Sequence, residues 1–293
     1  MSLLNPFMRF GLPRLAGAAL ALALLGGCTK NPAGPIIVST PPTPEAPNSE
    51  ARSYADYTEL KWNDEFDTPT INPAKWGFDL GGGGWGNQEL EYYTSSTDNA
   101  FINNGNLVIQ AKQQSQGGLN YTSARMLTKG KQTFQFGRVD VRAKLPKGQG
   151  IWPAIWMLGA DIDTNNWPKC GEIDMMELRG QEPNKILTTM HFAKTDGTHD
   201  QKGAPDQVLA SGNFSDDFHL FSVVRSKDQV RFYVDGRQYY TFTSGDSPTY
   251  PFNNPFFLIL NVAVGGNFLG NPDATTVFPQ QMQVDYVRYY QYK

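Results

Sequence analysis

The sequence predicts an all-β protein, an antiparallel sandwich of two curved sheets with an open cleft on the concave sheet. From Tyr54 to the end of the chain, short apolar runs alternate with turn residues. Asp235-Gly236 joins two of these runs, and this dipeptide is the strongest short signal for a tight β-hairpin. The sequence contains no amphipathic helix longer than a few turns and no repeat of the length of about 40–50 residues that a β-propeller needs. These observations favour a sandwich.

The strand patterns follow one another along the whole domain. Residues 106–111 alternate in polarity, which puts Leu107, Ile109 and Ala111 on one face. The other predicted strands are 133–145 with a break at Gly137, 229–234, 237–242, 256–264 and 283–290. The run 256–264 is apolar apart from Asn261, which indicates a strand that is buried on both faces.

Composition and charge narrow the classes of partner. The 293 residues carry a net charge of −3 without a basic block, so we expect no nucleic-acid partner. Aromatic residues make up 13% of the chain, and there are 29 glycines, a composition typical of a turn-rich β protein. The aromatic side chains suit either an ordinary core or stacking on sugar rings. Two cysteines give neither a disulfide framework nor a zinc-binding spacing. We expect the protein to be a monomer.

The first 28 residues have the pattern of an export signal. Arg9 and Arg14 precede the apolar run 15–27, which is too short to cross a bilayer comfortably. The run ends in small residues before Cys28, as in a bacterial lipoprotein signal whose cysteine becomes the lipidated first residue. The alternative is a plain signal peptide with an incidental cysteine. We predict export and a lipid anchor on Cys28, at the outer membrane or cell surface, because Thr29 rather than Asp follows the cysteine.

A proline-rich linker is predicted for residues 29–53. Six prolines lie there among residues with little apolar surface to bury, so the segment would be an extended, semi-rigid spacer. The folded domain is then predicted to span 54–293.

The most informative stretch is 171–180, which contains three acidic residues. Side chains alternate between the faces of a strand, so Glu172 and Asp174 share a face whereas Glu177 would lie on the other. A β-bulge at Met175-Met176 would add one residue and return Glu177 to the face of Glu172.

Three carboxylates on one face repel each other, which calls for a functional reason. Retaining glycoside hydrolysis supplies one, because it needs an ionised nucleophile and a protonated acid about 5–5.5 Å apart. Mutual repulsion within a coupled set would keep Glu177 protonated. Two alternatives remain open at this point: a solvated acidic strand, and a Ca²⁺ site with oxygen ligands.

Further motifs point to one family. The matching stretches are residues 85–94 (WGNQELEYYT), 122–125 (TSAR), 136–139 (FGRV), 151–158 (IWPAIWML), 190–192 (MHF), 261–268 (NVAVGGNF) and 284–288 (VDYVR). With the acidic motif, they cover the chain from about Glu59 to its end. The sequence thereby resembles glycoside hydrolase family 16, specifically its bacterial laminarinase-like members.

The resemblance implies a β-jelly-roll and a retaining endo-β-1,3-glucanase that needs no cofactor for catalysis. It assigns Glu172 as nucleophile, Asp174 as its hydrogen-bonding assistant and Glu177 as acid/base. Relatives specialised for mixed-linkage lichenan usually lack the extra residue of the bulge, whereas agar- and carrageenan-cutting relatives can share it. The substrate implied is therefore laminarin-type β-glucan, with mixed-linkage glucan and marine galactans as alternatives.

The resemblance also implies substrate-binding and metal-binding residues. Those for substrate are Trp156, Trp167, Arg125, His191, Asn87 and Phe268, the last standing where many relatives carry Trp. A structural calcium on the convex face would be held by the side chains of Glu65 and Asp285 and the carbonyl of Gly105, which are hard oxygen ligands.

Two other functions share these features. A non-catalytic glycan-binding jelly roll would use the aromatic residues without needing Glu172 and Glu177 together. A transglycosylase would share the covalent intermediate and differ in whether water or a sugar resolves it. Cys170, two residues before Glu172, is expected to be a small buried thiol without a reactive role.

Overall fold

The computed structural model describes residues 48–293. The predicted signal sequence, Cys28 and residues 29–47 of the predicted linker lie outside the described residues. Within the described part, no helix has the length and apolar character needed to cross a membrane. The helical elements there are two single 3₁₀ turns, Tyr54–Asp56 and Pro251–Asn253.

Eighteen strands build the described part of the chain. They are β1 Glu59–Asp64, β2 Gly77–Asp79, β3 Glu91–Tyr93, β4 Ala100–Asn103, β5 Asn106–Gln116, β6 Leu119–Ser123, β7 Arg125–Leu127, β8 Gly137–Lys144, β9 Ile151–Gly159, β10 Glu172–Leu178, β11 Lys185–Ala193, β12 His199–Gly203, β13 Gln207–Val208, β14 His219–Ser226, β15 Gln229–Val234, β16 Arg237–Thr243, β17 Phe256–Val264 and β18 Gln280–Gln291.

The strands form two sheets, as the β-sandwich prediction requires. One sheet has the order β16-β15-β14-β8-β18-β5-β6-β3, with β1 on β18 and β4 on β5. The other has the order β12-β11-β10-β9-β17-β7-β2, with β13 on β11. All pairings within these sheets are antiparallel except that of β3 with β6. Neighbours in space are often distant in sequence, as in the pairing of β9 with β17, so the topology is a jelly roll rather than a meander.

The predicted strands are confirmed except at residues 133–136, where Phe134 forms only an isolated bridge with Phe256. β15 and β16 form the predicted hairpin, and Asp235 and Gly236 have φ angles of 51° and 76°, as a type I′ turn requires. The pattern break at Gly137 marks the start of β8. Gly137 has a φ of 79°, and a Cβ there would lie 2.4 Å from the carbonyl oxygen of Tyr290, so only glycine fits.

The core lies between the sheets and explains the alternation in the sequence. Val139, Val141 and Ala143 of β8 are fully buried and belong to the same apolar cluster as Ile155 and Met157 of β9. β17 is buried along its whole length, as predicted. Asn261 and Ala263 on its second face line a cleft, so this strand lies between the core and the cleft.

The folded part begins before the predicted boundary at residue 54. Asn48 Nδ2 donates a hydrogen bond of 2.7 Å to the Tyr292 carbonyl, and the Lys227 backbone N–H donates to the Ser49 carbonyl. Arg231 also donates to the Arg52 carbonyl. Residues 48–53 are thus bound to the folded domain by the Asn48 side chain and by the backbone carbonyls of Ser49 and Arg52, which the polar, proline-rich composition of the linker does not reveal.

Candidate active site

The predicted bulge is present in β10. From Asp174 to Glu177 the strand advances three residues, whereas the facing positions advance two, from Thr189 to Leu187 on β11. The register with β9 shifts in the same place. The extra residue restores the parity, and Glu172, Asp174 and Glu177 all line one cleft of about 590 Å³. The prediction that the three acids share a groove is confirmed.

The two methionines of the bulge fill the space behind the acids. Met175 and Met176 are 2% and 0% exposed, and both belong to the central apolar cluster with Ile173. The Thr188 hydroxyl donates a hydrogen bond of 3.1 Å to the Met175 carbonyl, which the bulge would otherwise leave without a ladder partner. The bulge is therefore held by the core and by a side chain of the neighbouring strand.

The acids interact closely with each other and with His191. Because His191 lies opposite Glu172 in the register of β10 and β11, its ring reaches over both acids. Its Nε2 lies 3.0 Å from Asp174 Oδ2 and 3.8 Å from Glu172 Oε1. Ligand atoms of these three residues all lie within 4.8 Å of one another.

Burial makes these carboxyls hard to ionise. Burial first and the charge of the neighbouring Asp174 second raise the pKa of Glu172 to about 8, whereas His191 and Arg125 oppose the shift. Burial raises the pKa of Asp174 to about 8. The pKa of Glu177 lies well above its usual value because of burial first and the charge of Asp174 second. Since the pKa of Glu177 lies well above its usual value and the other two values are alike, we expect the first negative charge on the coupled pair Glu172 and Asp174 and the retained proton on Glu177.

Glu177 is oriented by a tryptophan that sequence reasoning missed. Trp152 Nε1 donates a hydrogen bond of 3.1 Å to Glu177 Oε1. The Phe268 ring packs on Trp152 with a centroid separation of 4.7 Å. Trp152 has the same strand parity as Trp156, so the alternation of β9 could have placed it in the cleft.

The other wall of the cleft is a hydrogen-bonded chain. Trp156 Nε1 donates to Asn261 Oδ1 at 2.7 Å, and Asn261 Nδ2 donates to the Tyr93 hydroxyl at 3.1 Å. Tyr93 and the Asn87 amide in turn donate to the two carboxylate oxygens of Glu89, each at 3.1 Å. Asn261 is the single polar residue of an apolar strand. This made the position stand out in the sequence, but it did not reveal that Asn261 links Trp156 to Tyr93.

Arg125 lies between two aromatic rings. Its guanidinium carbon is 4.6 Å from the ring centroid of Trp156 and 4.9 Å from that of Trp85, and its Nε lies 3.0 Å from Asp79 Oδ2. Stacking and the ion pair hold this cation at the cleft wall with its donors directed by the fixed guanidinium plane.

Trp167 and two histidines lie on the side of the cleft opposite Trp156. Trp167 is 43% exposed, and its ring centroid is 4.5 Å from that of His199 and 6.3 Å from that of His191. His191 Nδ1 and His199 Nε2 are 2.9 Å apart. His199 belongs to β12 at the sheet edge, and no signal in the sequence indicated its place at the cleft.

The structure brings together all nine residues predicted for catalysis and substrate binding. The cleft lining contains Glu172, Asp174, Glu177, Trp156, Trp167, Arg125, His191, Asn87 and Phe268. It also contains residues that were not predicted, among them Trp85, Glu89, Trp152, His199 and Asn261. The roles of these side chains in binding and catalysis stay predictions. Cys170 is buried, as expected, and burial raises the pKa of its thiol to about 12.

The predicted calcium ligands have other partners. Glu65 forms a two-pronged pair with Arg288 at 2.9 and 2.8 Å, and Asp285 pairs with Arg142 at 2.6 Å. The hydrogen bonds from Arg288 help to hold the pKa of Glu65 below its usual value. As arranged, these donors do not fit Ca²⁺, because each carboxylate already faces a guanidinium. The calcium site stays a prediction from the resemblance alone, and the function proposed below does not use it.

Comparisons with known proteins indicate the same family as the sequence motifs do. The profile named "Glycosyl hydrolases family 16" matches residues 87–288. The "Beta-glucanase" of Rhodothermus marinus is 41% identical over 263 residues, which are 83% of this chain and 89% of that protein. The "Glucan endo-1,3-beta-glucosidase A1" of Niallia circulans is 38% identical over 281 residues, which are 85% of this chain but 41% of that protein. This chain thus spans less than half the length of that second relative.

A solved structure agrees with the fold. The laminarinase catalytic domain from Thermotoga maritima MSB8 has a TM-score of 0.75 and 44% identity, covering 81% of this chain and 99% of that one. The family profile spans more than half of this chain and includes the acidic strand and most of the cleft residues. The chain therefore belongs to glycosyl hydrolase family 16.

Proposed function

We propose that the chain is an endo-β-1,3-glucanase that hydrolyses laminarin-type glucan, and also mixed-linkage β-1,3-1,4-glucan, with retention of configuration. The observation that carries the proposal is the bulge at Met175-Met176, which puts Glu172 and Glu177 into one cleft. The names of the relatives, a β-glucanase, an endo-1,3-β-glucosidase and a laminarinase, support β-1,3-glucan as the substrate.

In the first step, Glu177 gives its proton to the glycosidic oxygen while a Glu172 oxygen attacks the anomeric carbon. The bond between that carbon and the leaving sugar breaks, and a glycosyl ester of Glu172 forms. Asp174 is close enough to Glu172 to stabilise its orientation, and His191 lies over both. The high pKa of Glu177 suits this donor role at neutral pH.

In the second step, Glu177 takes a proton from a water molecule, whose oxygen attacks the anomeric carbon. The ester bond to Glu172 breaks, and the sugar leaves with its original configuration. The Trp152 indole, which donates to Glu177, keeps this carboxyl in place through both steps.

The cleft walls suit a polymer of pyranose rings. Trp156 and Trp167 offer apolar ring faces that can stack on the C–H faces of sugars. Arg125 and Asn87 offer donors for sugar hydroxyls on the wall that carries Trp156. An open cleft with polar and aromatic walls is consistent with attack within a chain rather than at its end.

A panel of polysaccharides tests the proposed substrate. We expect laminarin to be cut fastest into short oligosaccharides, lichenan more slowly, and agar, κ-carrageenan and cellulose negligibly. Product lengths and the anomer released first would be measured by chromatography and NMR. Cleavage of galactans without cleavage of laminarin would overturn the substrate class, and an initial α-anomer would overturn retention. Products longer than the starting oligosaccharide would instead assign the chain as a transglycosylase.

We also propose that the chain is exported and tethered through a lipid on Cys28, with residues 29–47 as the spacer. The support is the sequence alone, a basic start, a short apolar run and small residues before the cysteine. A lipid anchor would place the cleft near polysaccharide outside the cell.

Replacing Cys28 with Ala is expected to move the protein from the membrane fraction to the soluble fraction. Fractionation of a bacterial host and incorporation of a labelled fatty acid would measure this change. Activity per folded molecule should stay unchanged, since Cys28 precedes the folded domain. Equal partitioning of both forms would show that Cys28 does not anchor the chain.

A further inference from the structure

The structure places two carboxylates and an imidazole around one point in the cleft. His191 Nε2 lies 3.0 Å from Asp174 Oδ2 and 3.8 Å from Glu172 Oε1. In a zinc site, Zn–N and Zn–O bonds of about 2.0–2.2 Å at tetrahedral angles put neighbouring ligand atoms about 3.3–3.5 Å apart. The two separations from His191 lie on either side of that value, and all three ligand atoms lie within 4.8 Å of one another, so side-chain adjustments of about 1 Å would bring them to the spacing of such a site.

Asp174 adds a second, independent observation. Its side chain is 5% exposed, and its buried Oδ2 atom, although 3.0 Å from His191 Nε2, accepts no well-aligned hydrogen bond. A buried carboxylate oxygen without a well-aligned donor is costly, and a bound cation would reduce that cost. Asp174 itself is one of the residues that line the cleft, so a small side-chain adjustment would bring this oxygen to an ion there.

His191 also has the outer partner that metal-binding histidines usually have. A ligating imidazole almost always donates its second ring N–H to a nearby acceptor, which fixes its tautomer. His191 Nδ1 lies 2.9 Å from His199 Nε2. His199 is stacked between Trp167 and His191, with centroid separations of 4.5 and 5.1 Å, which limits the movement of its ring.

We propose that Glu172, Asp174 and His191 form an inhibitory site for zinc or a similar divalent transition metal, with His199 orienting His191. The inference rests on the proposed glucanase function, because the ion would occupy the oxygen of Glu172 that attacks the sugar. Such an ion would keep its fourth position for a water molecule from the cleft. The imidazole ligand favours zinc over Mg²⁺ and Ca²⁺, which prefer oxygen ligands alone. Glucan and zinc then compete for one place.

Calorimetry on the full chain with ZnCl₂, in a buffer that does not bind metals, tests the site directly. We expect one zinc per chain, inhibition of laminarin cleavage that is relieved by chelation and by excess laminarin, and no binding of Mg²⁺. His191→Asn and Asp174→Asn should each weaken zinc binding about tenfold or more. Thermal unfolding of each variant confirms that it is folded before titration.

The chain offers a matched control. Of its three histidines, His219 is the one outside the cleft, where it pairs with Asp235 on the other sheet. His219→Asn should leave both zinc affinity and basal activity unchanged. The proposal fails if the unchanged chain binds no zinc, or if His191→Asn and Asp174→Asn bind it as tightly as the unchanged chain. A chain that binds zinc but cuts no glucan without it would instead refute the proposed function.

Discussion

Glu172→Gln is expected to lower laminarin hydrolysis by about 10⁴-fold or more, because an amide oxygen does not form the glycosyl ester. The substitution keeps the size of the side chain and removes its negative charge. Oligosaccharide binding should persist, since Trp156, Trp167 and Arg125 are unchanged. Initial rates on laminarin and calorimetry with a laminari-oligosaccharide would measure the two effects separately.

A matched substitution separates the chemistry from the loss of a charge. Glu59 lies on β1 of the other sheet, where it pairs with Lys61 at 2.7 Å near the surface. Glu59→Gln should leave the rate unchanged. If Glu172→Gln retained more than about a tenth of the activity, Glu172 would not be the nucleophile, whatever its place in the cleft.

Glu177→Ala is expected to lower laminarin hydrolysis by about 10²–10⁴-fold, the usual contribution of a general acid. The loss in the first step should be much smaller for an aryl β-glucoside whose leaving group needs no proton. Added azide should raise the rate of the variant, because this anion attacks the glycosyl ester without a general base. Rates on both substrates, with and without azide, give the measurement. If the substitution lowered the hydrolysis rates of both substrates equally, and azide did not raise either rate, Glu177 would have a structural role instead.

The pH dependence follows from the same residue. Glu177 must be protonated to act as the acid, and burial with the charge of Asp174 raises its pKa well above the usual value. As the pH rises through this pKa, the proton is lost and activity falls, so Glu177 sets the alkaline limb. The acid limb reports ionisation of the coupled pair Glu172 and Asp174, because the nucleophile must be charged. In Glu177→Ala the alkaline limb should disappear, which a pH profile of kcat/KM would reveal.

The fold could be predicted from the sequence because local and global preferences agree. The Asp235-Gly236 turn, the alternation of β5 and the apolar run of β17 each have one consistent structural interpretation. The start of the folded part was less clear. The backbone carbonyls of Ser49 and Arg52 accept hydrogen bonds from the folded domain, and such contacts leave no pattern in the side chains.

The shared face of the three acids could be predicted because side chains alternate strictly between the two faces of a β-strand. Glu172 and Glu177 share a cleft only if one residue is added between them, and the structure has that residue at the double methionine. His199 could not be predicted in this way. It reaches His191 because β12 pairs with β11 at the sheet edge, a tertiary contact that local sequence does not encode.

Trp152 and Asn261 fall between these cases. Both have the strand parity of cleft residues, yet in the sequence each is equally consistent with packing in an apolar strand. Their partners decide the matter, since Trp152 donates to Glu177 and Asn261 links Trp156 to Tyr93. Hydrogen bonds between strands distant in sequence supply this information, and periodicity does not.

Trapping the covalent intermediate would identify the nucleophile by its chemical bond to the sugar. A 2-fluoro-laminaribioside with a good leaving group forms the glycosyl ester quickly and releases it slowly, so the labelled peptide can be found by mass spectrometry. We predict one label per chain, on Glu172. A label on Glu177, or turnover that never labels a carboxylate and releases the inverted anomer, would contradict it.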